Sequence, residues 1–283
     1  MKITRACLLL LLPFLGPYGL ARASQSEPLE SGRFSLSGFG TLGVARTDTD
    51  EVEYVRDLSQ PHGLTKDWGA KIDSVFGVQA EYRFTGKVDG VVQAITRYRY
   101  DDSYDPEISW AFLRYDASPN LSLRLGRLGT EFFMLSDSRL VGYANLTVRP
   151  PPDFYHSLIF SHLDGLDASL TWPVAEDLVG VKFYMGVSPE KSPFIDPLQW
   201  NLDGSPILGG HVDYTSGDWR FRVGHARIRF KHELPFDAYM ESALDIPDFL
   251  ALVPDLRTKD TWSGYTSFGA VYERGPLQMQ LML

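Results

Sequence analysis

Between Lys71 and Asp101 the chain alternates with a period of two on both sides of one short connection. Ile72, Phe76, Val78, Ala80, Tyr82 and Phe84 fall in one row, and Lys71, Asp73, Gln79, Glu81 and Arg83 in the other. Successive side chains of a strand point to opposite faces, so this is a strand with one apolar and one charged side. After Thr85, Gly86 and Lys87 the alternation resumes: Val88, Gly90, Val92, Ala94, Tyr98 and Tyr100 oppose Asp89, Gln93, Arg97, Arg99 and Asp101. Two such runs across a tight turn predict an antiparallel hairpin. Its apolar row, with Ile72, Phe76, Val78, Tyr82, Val88, Val92 and Tyr98, is expected to face outward. A soluble sandwich would bury that row, so the hairpin alone does not name the solvent. Tyrosines at the row ends fit an interfacial aromatic belt.

The same alternation recurs along the chain. Strands are predicted over Phe34–Ala45, Glu107–Tyr115, Leu121–Gly126, Leu166–Trp172, Val179–Val187, around Leu208–Tyr214, Trp219–Lys231 and Tyr265–Tyr272, and from Leu277 onward. In Trp219–Lys231 the apolar row passes from Trp219, Phe221 and Val223 to Ala226, Ile228 and Phe230, a phase change that predicts a β-bulge near Gly224 and His225. The connections alternate between long and short from first to last. Outer-membrane barrels combine short turns at one end with long loops at the other, and a sandwich has no reason to do so.

The first residues match a secretory leader: Lys2 and Arg5, the apolar run Leu8–Leu15, and Ala21-Arg22-Ala23 before Ser24. Residues 1–23 are therefore expected to be a signal peptide, 24–32 a linker and 33–283 the β domain. Cys7, the one cysteine, lies in that leader, so a disulfide framework is excluded. Three of the 27 basic residues lie there too, against 36 acidic residues in the whole chain, and nucleic acid is not an expected partner. No later run approaches the roughly 18 apolar residues of a membrane helix, so any membrane insertion must use a closed barrel. Eleven strands are counted. Leu283 falls inside the last, which reads as a barrel incomplete at its C-terminus, with up to 16 strands in the complete protein.

This layout resembles the Gram-negative porins. Leu125-Gly126-Arg127 is similar to the glycine-arginine that ends their fifth strand, and the longest insertion, Arg127–Gly165, follows it as their third loop does. The residue after the arginine is Leu128, where many relatives have glutamine, and the loop lacks an acidic-aromatic-glycine signature. The resemblance implies an all-β, antiparallel transmembrane β-barrel in the bacterial outer membrane. It further implies a water-filled channel for passive diffusion of small hydrophilic solutes or ions, lipid around the wall, and a homotrimer as one option for the assembly. Residues 127–165 become the candidate constriction, with Glu131, Asp137, Arg139, Arg149 and Asp153 as candidates for a transverse field. Inward positions in the alternation give a candidate basic ladder of Arg83, Arg97, Arg99, Arg124, Arg220, Arg222, Arg227 and Arg229. The alternative reading pairs these with Asp73, Glu81, Asp89, Asp101 and Asp213. Arginines outnumber carboxylates in this assignment, so a weak anion preference is expected.

Other chemistries find less support. His156, His162, Asp164 and Asp167 lack a metal-ligand spacing, and Asp48-Thr49-Asp50 lacks the glycine and distal glutamate of a calcium loop. No serine or histidine stands in a nucleophile setting such as G-x-S-x-G. No catalytic residue, cofactor or metal is expected. A structural or adhesion barrel is the main alternative, and a barrel enzyme a lesser one.

Overall fold

The structure, a computed structural model, describes residues 32–145, 149, 155, 161–195, 198–235 and 257–283. The proposed leader, most of the linker, Asp153 and His156 lie outside the described residues. The described residues form thirteen strands: β1 (Phe34–Thr41), β2 (Val75–Thr85), β3 (Val88–Arg97), β4 (Glu107–Ser118), β5 (Leu121–Gly129), β6 (His162–Val174), β7 (Asp177–Ser188), β8 (Lys191–Ile195), β9 (Leu198–Asn201), β10 (Ser205–Ser216), β11 (Trp219–Arg229), β12 (Trp262–Arg274) and β13 (Leu277–Met282). Eleven form one antiparallel sheet in chain order. The other two, β8 and β9, make a separate hairpin within the connection from β7 to β10. Among the described residues no helix is long and apolar enough to cross a membrane.

Within the eleven-stranded sheet five connections are two-residue turns, at 86–87, 119–120, 175–176, 217–218 and 275–276, and all lie at one end of it. Gly217 and Gly275 open two of them with φ of 54° and 58°, values that glycine adopts without steric cost. The long connections gather at the other end.

The sheet is curled. Gly142 of the connection between β5 and β6 lies against Thr41 of β1, and Met134 of the same connection against Gly269 of β12. Those strands stand nine spacings apart in the sheet, roughly 43 Å if it were flat. Eight residues of chain reach at most about 28 Å. Only a wall bent round the loop permits both contacts, so the sheet is an antiparallel β-barrel wall, open between its edges β1 and β13.

Alternation divides the wall into two faces. Phe76, Val78, Leu113, Leu125, Phe183, Val212, Phe221 and Phe268 are large apolar side chains exposed on the convex face. Ile72 and Tyr98, expected in that outward row, are buried. They lie beyond the ends of β2 and β3, where the alternation no longer applies. There the Tyr98 hydroxyl donates to Asp102 at 2.6 Å, and Gln60 donates to the Ile72 carbonyl at 3.1 Å.

The bulge expected near Gly224 and His225 is absent. Pairing runs without a shift from Val223 through Ala226 on both neighbouring strands. What changes there is the environment. Beyond Val223 the inner face of β11 meets packed protein, so Ala226, Ile228 and Phe230 point in and Arg227 and Arg229 point out. A switch of surroundings imitates a slip of phase.

The inner core at this end comprises Leu128, Phe132, Leu163, Tyr184, Leu202, Ile207, Ala226, Ile228, Phe230 and Leu234. Gly126, Gly165 and Gly186 form a cross-strand row beside it, where adjacent strands leave no room for a Cβ. Gly126 has φ of 136° and faces the Ala111 carbonyl. Replacing it with alanine should cost about 1–3 kcal/mol through strain and that clash. Urea unfolding of Gly126→Ala would show the loss, and an unchanged midpoint would refute the constraint.

Candidate functional site: a charged belt closed by a loop

Cross-strand pairing places one charged residue per strand along a row on the concave face. Arg83 pairs with Asp89, Asp89 with Arg114, Arg114 with Arg124, and Arg124 with Asp167. The row continues through Lys182 on β7, His211 and Asp213 on β10, and Arg222 on β11, with His211 opposite Lys182 and Asp213 opposite Arg222.

Ion pairs follow the row. Arg83 Nε donates to Asp89 at 3.1 Å, and Arg114 Nε donates to the same carboxylate at 3.2 Å. Arg124 Nε reaches both oxygens of Asp167 at 3.0 Å. Lys182 Nζ lies 3.5 Å from Asp167, and Arg222 forks onto Asp213 at 2.7 and 2.8 Å. The direct juxtaposition of Arg114 and Arg124 is offset by Glu81, 3.6 Å from Arg114, and by Asp89 and Asp167 on either side.

The long connection closes over this belt. β5 and β6 extend further than the sequence suggested, taking Arg127–Gly129 and His162–Gly165, so the loop proper is 130–161. Glu131 lies near its start and meets three cations and one histidine of the wall. It pairs with Lys182, accepts from Arg222 Nη1 at 3.3 Å, and lies 3.6 Å from both Arg124 and His211. Burial alone would favour its neutral form, but Lys182, His211, Arg222 and Arg124 together hold its pKa below the ordinary carboxylate range. Further on, Ser267 of β12 donates to the Phe132 carbonyl at 2.9 Å, and the Tyr155 hydroxyl meets the Met134 carbonyl and lies 3.3 Å from Met282 Sδ on β13. The described part of the loop therefore lies on the concave face, the same face as the belt.

The candidate constriction residues separate into two groups. Glu131 lies beside Lys182, Arg222 and Arg124, setting acid on the loop against base on the wall, and Asp137 joins the same group, its pKa raised by desolvation and by Glu131 against the opposing pull of those cations. Arg139 and Arg149 instead attach the loop to the first long connection, 42–74. Arg139 is buried, donates to Ser161 Oγ at 2.9 Å, and offers its carbonyl to Arg56 Nη2 at 3.1 Å. Arg149 Nε donates to Asp73 at 2.6 Å, and its guanidinium stacks over Tyr54 at 4.9 Å.

The basic ladder also divides. Arg83, Arg97, Arg124, Arg220 and Arg222 face inward. Arg227 and Arg229 do not, because the alternation of β11 continues unbroken past Gly224 and puts them on the convex side. Arg97 and Arg99 belong to the loop end, where they line a polar cavity of about 380 Å³ with Glu107, Arg127, His162, Glu190 and Lys191. Buried Arg97 donates to Ser59 Oγ at 2.7 Å and pairs with Asp57 and Glu107. Sequence reasoning missed Arg114, Lys182 and His211. Each is the polar neighbour of an outward apolar residue, Leu113, Phe183 and Val212, so the signal was present in the alternation.

Of the residues weighed for a metal, the three described ones each face a different partner. Asp164 pairs with Arg127 at 2.7 Å, Asp167 faces Arg124, and His162 faces Glu190. No set of three metal-ligating residues comes together among the described residues. In the outer loop, Asp50 pairs with Lys66 at 3.1 Å.

No family model and no curated protein matches the chain. Among solved structures, OmpT of Vibrio cholerae is similar at 13% identity and TM-score 0.45, over 90% of this chain and 65% of that one. OccK7 (OpdD) of Pseudomonas aeruginosa aligns at 13% identity and TM-score 0.37, over 86% of this chain and 55% of its own. Salmonella typhi OmpF, in a complex with daunomycin, aligns at 11% identity and TM-score 0.40, over 85% and 74%. The chain thus spans less than two thirds of the first two. Scores this low leave function to the residues themselves.

Two outcomes test the site. Asp167 is almost fully buried between Arg124 and Lys182, so Asp167→Asn should destabilise the fold by about 3 kcal/mol, while Asp50→Asn at the exposed pair should leave the unfolding midpoint unchanged. Glu190 accepts from the Ser161 and His162 amides at 2.9 and 3.1 Å and so ties the end of the loop to the connection after β7. Burial raises its pKa, but the His162 contact, the Ser161 amide and Arg97 outweigh this and hold it low. A depressed folded-state pKa contributes stability above the ordinary glutamate range, and that contribution is lost as pH falls through the lowered value. Protection factors of the Ser161 and His162 amides, taken against the intrinsic exchange rate at each pH, should fall on acidification in the wild type, and Glu190→Gln should remove that fall.

Proposed function

We propose that the chain is a porin-like wall of the bacterial outer membrane, exported by its N-terminal leader, that passes small hydrophilic solutes or ions by diffusion and performs no enzymatic reaction. The observation that carries this reading is the division of one wall into two faces. Exposed Phe, Leu and Val side chains cover the convex face, and paired charges line the concave one. A soluble protein would have this the other way round, since large exposed apolar surfaces need a cover and lipid is the cover that suits a β-wall.

In this reading the loop 130–161 narrows the path. Glu131 and Asp137 on the loop, facing Lys182, Arg222 and Arg124 on the wall, set up a field across the passage that orders water and selects solutes by their dipole and charge. The charges are nearly balanced: Arg83, Arg114, Arg124, Lys182 and Arg222 against Glu81, Asp89, Glu131, Asp167 and Asp213. This balance replaces the anion preference expected from the arginines alone with weak selectivity of either sign.

Three measurements bear on this. In planar bilayers containing the full chain, deletion of Thr130–Arg149 should raise single-channel conductance, and an unchanged conductance would place the loop outside the passage. Reversal potentials in asymmetric KCl should stay near zero for the wild type, and a strong preference for either ion would contradict the balanced belt. Val78→Arg on the convex face should cost about 2–4 kcal/mol in a bilayer, whereas Gln79→Arg on the concave face should be mild. Equal effects would reject the assignment of faces.

A further inference from the structure

On β11 the outward row does not stop where the apolar residues do. Trp219, Phe221 and Val223 are followed on the same face by His225, Arg227 and Arg229, all exposed. Arg227 stands four residues beyond Val223, about 13 Å further along the strand. Its guanidinium stacks over the ring of outward Trp262 on β12 at 5.1 Å. Among the described residues Arg227 makes no ion pair, whereas Arg229 donates to Asp260 at 3.1 Å. His225 shares a hydrogen bond with Thr266 of β12 at 2.8 Å. Gly210 stands opposite His225 on β10 and Gly264 opposite Arg227 on β12, so each side chain has one flank without a cross-strand side chain.

A basic and aromatic row in line with a lipid-facing apolar row, and just past its end, meets the headgroup layer. An aromatic ring partitions to that interface, and a cation there attracts anionic lipid. We propose that Arg227, with His225, Arg229 and Trp262, forms a site on the outside of the wall for the phosphate of an anionic membrane lipid. The site rests on the channel reading only in placing the wall in a bilayer. Arg227 supplies the uncompensated charge, and Trp262 holds its side chain flat along the wall so that the unstacked guanidinium edge meets the phosphate. Arg229, already shared with Asp260, contributes less. The arginines that seemed to belong to a lumenal ladder thus serve the opposite face.

The test uses the full chain refolded in phosphatidylcholine bilayers, with brominated phosphatidylglycerol or brominated phosphatidylcholine as quencher. The fluorescence lost in Trp262→Phe identifies the share belonging to Trp262. That share should be quenched preferentially by the anionic lipid. Arg227→Gln should reduce the preference about five-fold, the effect of one basic residue at an anionic surface, and Arg229→Gln should reduce it less. Arg220→Gln removes the same charge from the concave face of the same strand and should leave the preference intact. Equal quenching by both lipids in an inserted wild-type protein would overturn the site and leave the channel reading standing. Failure of the wild type to insert would instead remove the channel reading. Loss of the preference in inorganic phosphate, but not in chloride of equal ionic strength, would show a free-anion site and overturn the lipid assignment.

Discussion

Register is the constraint on which the rest of this wall depends. A strand that slips by one residue exchanges its two faces, so every strand must be fixed against its neighbour to that precision. Five two-residue turns do this for ten of the eleven strands of the sheet. Those turns set Arg83 opposite Asp89 on β2 and β3 and Arg114 opposite Arg124 on β4 and β5. The ladders between hairpins, joined by the longer connections, then bring Asp89 opposite Arg114 and Arg124 opposite Asp167, so the charges are neutralised laterally, strand to strand.

The belt in turn determines where the long loop can rest. Between Lys182, Arg222 and Arg124 the wall presents a concentration of positive charge that Asp167 and Asp213 do not fully offset, and Glu131 occupies it, with His211 alongside. The next residues of the loop find an apolar surface on the same face, where Phe132 stacks on Tyr265 at 5.7 Å and packs edge-on against Tyr184 at 6.4 Å. One salt-bridge cluster and one aromatic contact, adjacent in sequence, fix the start of the loop. Arg139, Arg149 and Glu190 then attach it to the connections on either side. The described residues of the loop are thus held to the wall and to its neighbouring connections at several points.

The eleven wall strands and the alternation of long and short connections were legible in the sequence because period-two patterning reports a face directly. The inward positions of Arg124 and Arg222 followed from the same rule. Its failures have one cause: the rule assumes that each face keeps one solvent along the whole strand. Ala226 and Ile228 leave water for a protein core while Arg227 and Arg229 remain outside, so a regular strand looked interrupted. Ile72 and Tyr98 continue the apolar row in sequence after the strands have ended in space. Partners were harder to see than faces. That Arg149 meets Asp73, 76 residues away, is a fact of loop packing that no local pattern encodes.

If lipid covers the convex face while water and the loop occupy the concave one, the two faces differ in what can reach them. Nitroxide side chains introduced one at a time at Val78, Val212 and Asp137 of the bilayer-inserted chain report this through collision with oxygen, which concentrates in lipid, and with a charged nickel chelate, which stays in water. Oxygen accessibility should be high and nickel accessibility low at residues 78 and 212, and the reverse at 137. Nickel access at 78 and 212 equal to that at 137 would overturn the assignment of the two faces.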